Sequence, residues 1–313
     1  MRSSLIVALA ALGGFGFPPL AGAETFSYQA LDVPGAYMTT VSGINDFGQA
    51  VGTYSNVVDG QYGGGAFLES NGVFTTLPIY NPSAINDAGQ ILSLSGGIVD
   101  AAGVFTPIIV PPGTFPNPPG YTLSVYFTDI NNAGQIVGAF TSLHLEGEGT
   151  GGNFLYSNGV FTILQAPAGF TLLSVAGINN SGQIFGTLRD GAGNISGFID
   201  DGGVFTTFQL PPGISGFNAV NDSGELAVSS YSSGGYAISA GEVIPLEFPG
   251  ASYTIVSGIN NEGQIVGTYA DYSQSVYQHG FIATPLATPE PASLLLVGVG
   301  LGLVAAWRHK RCT

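Results

Sequence analysis

The chain is predicted to be all-β, a β-propeller of six four-stranded blades, on three observations. A short phrase recurs six times, each repeat unit reads as four strands parted by turns, and the two ends of the array are complementary parts of one unit. The phrase is Ile44-Asn45-Asp46-Phe47-Gly48-Gln49 at first and returns from Ile85, Ile130, Ile178, Val220 and Ile259. The steps are 41, 45, 48, 42 and 39 residues, the spacing of propeller blades. A β-solenoid of the same units is the alternative architecture.

Each unit supports its four strands in order. The first leads into the phrase, as in Tyr253-Thr254-Ile255-Val256-Ser257-Gly258-Ile259, and the second leaves it, as in Gln264-Ile265-Val266-Gly267-Thr268-Tyr269. Asn-Asn-x-Gly or Asn-Asp-x-Gly between them makes a tight hairpin. Asn and Asp tolerate left-handed backbone and bond nearby amides, and Gly takes positive φ freely. The third strand is Phe67-Leu68, Phe154-Leu155-Tyr156, Phe198-Ile199 or Phe281-Ile282. The fourth is Val73-Phe74-Thr75-Thr76-Leu77 after Gly72, with copies from Gly103, Gly159 and Gly203. Asn71-Gly72 and Asn158-Gly159 turn between the last two strands, a strong hairpin signal. The fifth unit departs most, with Glu225 in place of Gln and then Leu226-Ala227-Val228, and the second lacks the usual Gly after its second strand.

The sixth unit stops after its third strand, at Gly280-Phe281-Ile282. Its missing fourth strand is matched by Phe26-Ser27-Tyr28-Gln29-Ala30-Leu31, ahead of the first unit, and residues 31–36 resemble residues 246–251. An N-terminal strand completing the last blade closes the ring and hides sheet edges.

Composition narrows the function. Of 313 residues only 8% are charged, while 45% are apolar and 49 are Gly; there is ample material to bury, which excludes disorder. Between residues 24 and 287 Arg189 stands alone against nineteen acids, the twenty of the chain less Glu290. Such a surface repels nucleic acid and anionic lipid. The one cysteine, Cys312, lies near the C-terminus, which excludes thiolate chemistry and Cys-based zinc sites in the repeats.

The two ends read as addresses, giving three segments: 1–23, 24–287 and 288–313. Arg2, an apolar stretch from Leu5 to Leu12, and small residues up to Ala23 form a secretory signal peptide cleaved after Ala23 by signal peptidase. At the other end, Pro289-Glu290-Pro291 precedes an apolar run through Trp307, then Arg308, Lys310 and Arg311. The run reads as a transmembrane helix near the lower length limit, with its basic end cytoplasmic. This three-part tail resembles the PEP-CTERM sorting signal of Gram-negative bacteria. The resemblance implies processing by exosortase, transient inner-membrane anchoring, and a final place at the cell surface or extracellular matrix, with a link to exopolysaccharide and biofilm. The phrases themselves resemble the HAF family of extracellular repeats, for which no established activity carries over.

The phrase is a structural turn rather than a calcium loop, since each copy offers one or two oxygen ligands and lacks EF-hand spacing. No metal site and no cofactor is expected. It has a superficial likeness to the sialidase Asp-box but lacks the Ser and Trp. Variable loops between second and third strands, about 55–65, 141–152, 187–196, 229–235 and 270–279, are the functional candidates, because variable loops on a rigid scaffold carry recognition. Tyr54, Tyr62, Tyr231, Tyr272 and Tyr277 could cover sugar faces, with Asp59, Asp271 and His279 bonding hydroxyls. There is no nucleophile elbow, P-loop or His-Glu-x-x-His pattern, and no catalytic residue is assigned. The expected function is non-catalytic association with exopolysaccharide. A passive self-associating coat protein and a polysaccharide-cleaving enzyme are the alternatives.

Overall fold

The computed structural model describes residues 26–58, 61–144, 147, 149–210, 213–230, 234–239, 242–271 and 278–286. They form six four-stranded antiparallel sheets arranged as the blades of a propeller. Blade one is β2 (Met38–Ile44), β3 (Ala50–Val58), β4 (Gln61–Ser70) and β5 (Val73–Leu77). Blade two is β6 (Pro82–Ile85), β7 (Ile91–Ser93), β8 (Gly97–Val99) and β9 (Phe105–Thr106). Blade three is β10 (Tyr121–Ile130), β11 (Ile136–His144), β12 (Gly149–Ser157) and β13 (Val160–Ile163). Blade four is β14 (Phe170–Ile178), β15 (Ile184–Asp190), β16 (Ile195–Asp201) and β17 (Val204–Phe208). Blade five is β18 (Ile214–Val220), β19 (Leu226–Ser230), β20 (Gly234–Ser239) and β21 (Glu242–Leu246). Blade six is β22 (Tyr253–Ile259), β23 (Ile265–Ala270), β24 (Gln278–Pro285) and, from the other end of the chain, β1 (Phe26–Leu31).

Closure is therefore the predicted one. β1 pairs antiparallel with β24 over six residue pairs, Phe26 opposite Pro285 through Leu31 opposite Gly280. Ring closure converts two sheet edges into a paired ladder. Asp32 adds a side-chain tie beyond the strand: its carboxylate accepts the Gly280 N–H and meets His279 Nδ1 at 2.9 Å.

The core lies between blades. Each of six buried clusters joins one sheet to the next, as when Leu31 and Val266 meet Val41, Ile44 and Phe67, or Ala84 and Leu92 meet Phe127, Phe140 and Phe154. A cross-strand pair sets the spacing in blades one and six. Phe67 on β4 sits opposite Gly52 on β3, and Phe281 on β24 opposite Gly267 on β23. A Cβ at Gly52 would strike the Thr40 carbonyl and lie 2.9 Å from the Phe67 ring. The Gly of the second strand is thus a steric requirement of the Phe on the third. Blade two lacks the pair, with Ser93 opposite Gly97, and its strands are the shortest.

Two details differ from the sequence reading. Much of the expected variable loops is strand: β3 and β4 run to Val58 and from Gln61, and β11 and β12 to His144 and from Gly149. Small and β-branched residues let these hairpins zip well past the blade core. Every first strand also carries a bulge just before the phrase, which the sequence pattern did not signal.

Candidate functional site: the axial clasp and the cleft of blade one

The phrase builds the axis. Asn45, Asn86, Asn131, Asn179, Asn221 and Asn260 are buried at 3–4% exposure. Asn45 shows the arrangement. Its Oδ1 accepts the N–H groups of Phe47 and Gln49, and its Nδ2 donates to Gln49 Oε1 and to the Asn86 carbonyl of the next blade. Both lone pairs and both donors are used. The same inter-blade bond runs from Asn86 to Asn131, Asn131 to Asn179, Asn221 to Asn260 and Asn260 to Asn45, at 2.9–3.1 Å. The Asn residues of the phrase are not left-handed, contrary to expectation. Among the described residues the non-glycine positive φ values belong to Asn71, Asn81 and Asn158, while Gly48 and its equivalents supply the positive φ of the turn.

The next residue of each phrase forms a second ring. Each backbone N–H donates to the side chain one blade on: Asp46 to Asp87, Asp87 to Asn132, Asn132 to Asn180, Asn180 to Asp222, Asp222 to Asn261, and Asn261 back to Asp46, all at 2.7–2.9 Å. The Nδ2 groups of Asn132, Asn180 and Asn261 supply the remaining carboxylate oxygens. In the fifth unit Glu225 replaces Gln without loss, because Asn221 needs an acceptor there and the second Glu225 oxygen takes the Ser239 hydroxyl. The rings enclose an axial space of about 80 Å³. With their acceptors filled by internal donors, they form a clasp rather than a cation cage. Among the described residues no group of three His, Cys, Asp or Glu side chains is placed to hold a metal ion.

One axial residue breaks the pattern. Asp129 occupies the bulge position where the other blades have Gly43, Ala84, Gly177, Ala219 and Gly258. Its Oδ1 accepts the Ile130 N–H and its Oδ2 the Ile178 N–H of the next blade. Gly177 makes the room, since a Cβ there would lie 2.8 Å from Oδ2. Asp129 lines the axial space. Burial pushes its pKa up to about 6, against the two N–H bonds that favour the charged form.

Of the eight glycan candidates, Tyr54, Tyr62, Asp271 and His279 fall among the described residues. Asp59, Tyr231, Tyr272 and Tyr277 lie outside the described residues, and so do all of the sorting residues, Ala23, Pro289, Glu290, Pro291, Arg308, Lys310 and Arg311, and the expected transmembrane segment. Among the described residues no helix is long and apolar enough to cross a membrane. Tyr62 is on β4 opposite Val57, and Asp271 directly follows β23, half-buried. His279 is on β24, held by Asp32 and stacked on Tyr269 at 5.0 Å. Burial first, then the nearby Asp32 charge, raises the Tyr269 pKa. Tyr54 is not in a loop: it lies on β3 facing the cleft between blades six and one.

That cleft holds a groove of about 440 Å³ walled by Tyr54, Phe67 and Phe74, with Val33 and Pro34 at one end and Thr76 on β5. Sequence reasoning found Tyr54 but missed Phe67, Phe74 and Val33, which read as ordinary strand and linker residues.

Fold, clasp and closure define a six-bladed β-propeller. The PEP-CTERM protein-sorting motif matches residues 287–311, so this propeller belongs to an exported chain carrying an exosortase sorting signal. No curated protein sequence matches it. Among solved structures it is similar to the Hadza microbial sialidase Hz136, at 13% identity and TM-score 0.47 over 80% of this chain and 66% of that one. It is similar to a subtype N11 neuraminidase-like protein of A/flat-faced bat/Peru/033/2010 (H18N11), at 13% and 0.45 over 87% and 97%. The six-bladed fungal lectin of Aleuria aurantia is similar at 12% and 0.42 over 83% and 99%. At these identities the likeness is of fold alone.

Proposed function

We propose that the exported propeller is a non-catalytic surface or matrix protein that associates with exopolysaccharide. The observation that carries this reading is the pairing of a sorting signal with a ring whose described axial carboxylates accept N–H groups of its own backbone and Asn side chains. A glycosidase needs two carboxyl groups free to meet substrate, whereas Asp46, Asp87, Asp129 and Asp222 hold blades together. The same reading takes residues 1–23 as a signal peptide removed after Ala23 and the six units as HAF repeats. It takes Tyr62, Asp59, Tyr231, Tyr272, Tyr277 and Asp271, on the face of the second-to-third strand hairpins, as glycan contacts beside Tyr54 and His279. Sorting runs through Pro289-Glu290-Pro291 and the basic end at Arg308, Lys310 and Arg311, leaving the protein at the cell surface.

The test is co-sedimentation of the full chain with the producing organism's own exopolysaccharide, with reducing ends followed in the same tube. Retention without new reducing ends is expected. Release of reducing ends would make the protein an enzyme. No retention and no release would leave a passive, self-associating coat protein.

A further inference from the structure

Blade six shows what the groove of blade one lacks. The two blades superpose residue by residue through their registers. Gly52 faces Phe67 as Gly267 faces Phe281, so Tyr54 answers to Tyr269. Thr76 faces Phe67 as Ala30 faces Phe281, so Phe74 answers to Tyr28. The linkers match as well: Leu31-Asp32-Val33-Pro34 answers to Leu246-Glu247-Phe248-Pro249. The Val33 N–H donates to Thr39 Oγ1 at 3.1 Å and the Phe248 N–H to Thr254 Oγ1 at 3.0 Å.

In blade six Phe248 fills the cleft. Its ring stacks on Tyr269 at 3.6 Å and 6°, and meets Tyr28 edge-on at 5.8 Å. Blade three does the same with Phe115, stacked on Phe140 at 4.4 Å and 13°. In blade one the plug is a valine. Tyr54 therefore keeps an open ring face, and the space a phenyl would occupy joins a groove of about 440 Å³, within the roughly 300–1,000 Å³ range of small-molecule sites. The Tyr54 hydroxyl has no hydrogen-bond partner among the described residues. The groove runs from the Gly72 turn along β5 from Val73 to Thr76, roughly 10 Å at strand rise, which suits a length of polymer better than a single small ligand.

The geometry points to this groove as a binding site for a stretch of neutral polysaccharide, with one pyranose ring stacked on Tyr54 in the place that Phe248 takes in blade six. The CH face of a sugar supplies the flat apolar surface, and its hydroxyls meet the Tyr54 and Thr76 hydroxyls at the groove wall. A chain of formal charge −15 disfavours an acidic glycan in the same place. The inference rests on the glycan-associating reading above and gives it an address.

The test is affinity electrophoresis of the full chain in gels containing dextran, galactomannan or alginate, repeated with the organism's own exopolysaccharide, for wild type, Val33→Phe and Tyr54→Ala. Val33→Phe installs the plug that blade six already tolerates and should keep or raise the melting temperature. Retardation of the wild type by a neutral polymer and not by alginate is expected, with both variants about tenfold weaker, as for loss of one aromatic anchor. Undiminished retardation of both variants would overturn the groove while leaving glycan association standing, and so would retardation by alginate alone. No retardation of the wild type by any of the polymers would overturn both.

Discussion

Asp129 is where a single residue has most leverage on the axis. Five blades have Gly or Ala at this bulge, and the one carboxylate survives because Gly177 opposite leaves room and two N–H groups point at it. Its raised pKa means that the native state holds the proton more tightly than the unfolded chain. Unfolding stability from this group therefore falls as pH rises from about 4 to about 6, and stays low above that. The rise from 3.8 to about 6 sets a ceiling of about 3 kcal/mol. Asp129→Gly, which restores the residue of blades one, four and six, should flatten that part of the stability curve in urea melts at pH 4, 5, 6 and 7. An unchanged slope would show that the carboxyl is well solvated. Gly177→Ala should act oppositely and lower stability, because its methyl meets Asp129 Oδ2. The clasp makes a second demand at this scale. Asn131→Ala strips acceptors from the Ala133 and Gln135 N–H groups and a donor from the Asn179 carbonyl. Buried groups left unpaired make that change cost about 2–4 kcal/mol, readable as a lower urea midpoint. The turn was legible from Asn131-Asn132-Ala133-Gly134, but its reach into the next blade was not: the partner is 48 residues away and carries no local signal.

Strands and turns were legible because their causes are local. The Asn-Gly turns, the β-branched runs and the phrase fix four strands per unit, and the resemblance of residues 26–31 to a missing fourth strand located β1 at its observed bounds. Elements whose limits depend on cross-strand packing were not. In blade one β3 and β4 take up most of the expected loop 55–65, because Gly63, Gly64 and Gly65 on β4 zip against Asn56, Ser55 and Tyr54 on β3. The Gly–Phe pair was visible as two recurring residues but not as a contact. It predicts that Gly52→Ala destabilises blade one through the Thr40 carbonyl and the Phe67 ring. In blade five Val228 faces Tyr236 instead, so Val228→Gly should not stabilise by relieving a clash and should lose packing. Thermal melts of the two variants decide this; a harmless Gly52→Ala would sink the steric account.

At the scale of the molecule the propeller is closed twice, once by hydrogen-bonded rings at the axis and once by β1 on β24. At the axis the backbone-to-side-chain bond is made at all six blade boundaries and the buried Asn side-chain bond at five of them, so each boundary carries at least one axial tie. The β1–β24 ladder is the one place where closure depends on chain ends meeting, across 257 residues between Ser27 and Thr284. The groove of blade one opens beside it, since Val33 and Pro34 follow β1 directly. Subglobal opening therefore belongs at this ladder, where exposed ties such as Asp32 to His279 contribute little. Hydrogen exchange of the folded chain should show β1 and β24 amides exchanging well before those of β11 and β15, which lie inside continuous blades. Asp32→Ala should speed exchange in β1 and β24 alone, by loss of the cap on Gly280 N–H, without lowering the global unfolding free energy from urea melts by more than about 1 kcal/mol. Uniform exchange across all blades would mean that the axial rings, not the ladder, set the order in which the ring opens. A groove placed against the least protected strand would then have to be rigid for reasons other than closure, and Val33→Phe would slow exchange nowhere. If the ladder opens first, the same substitution should slow β1 exchange by packing its linker onto Tyr54 as Phe248 packs onto Tyr269.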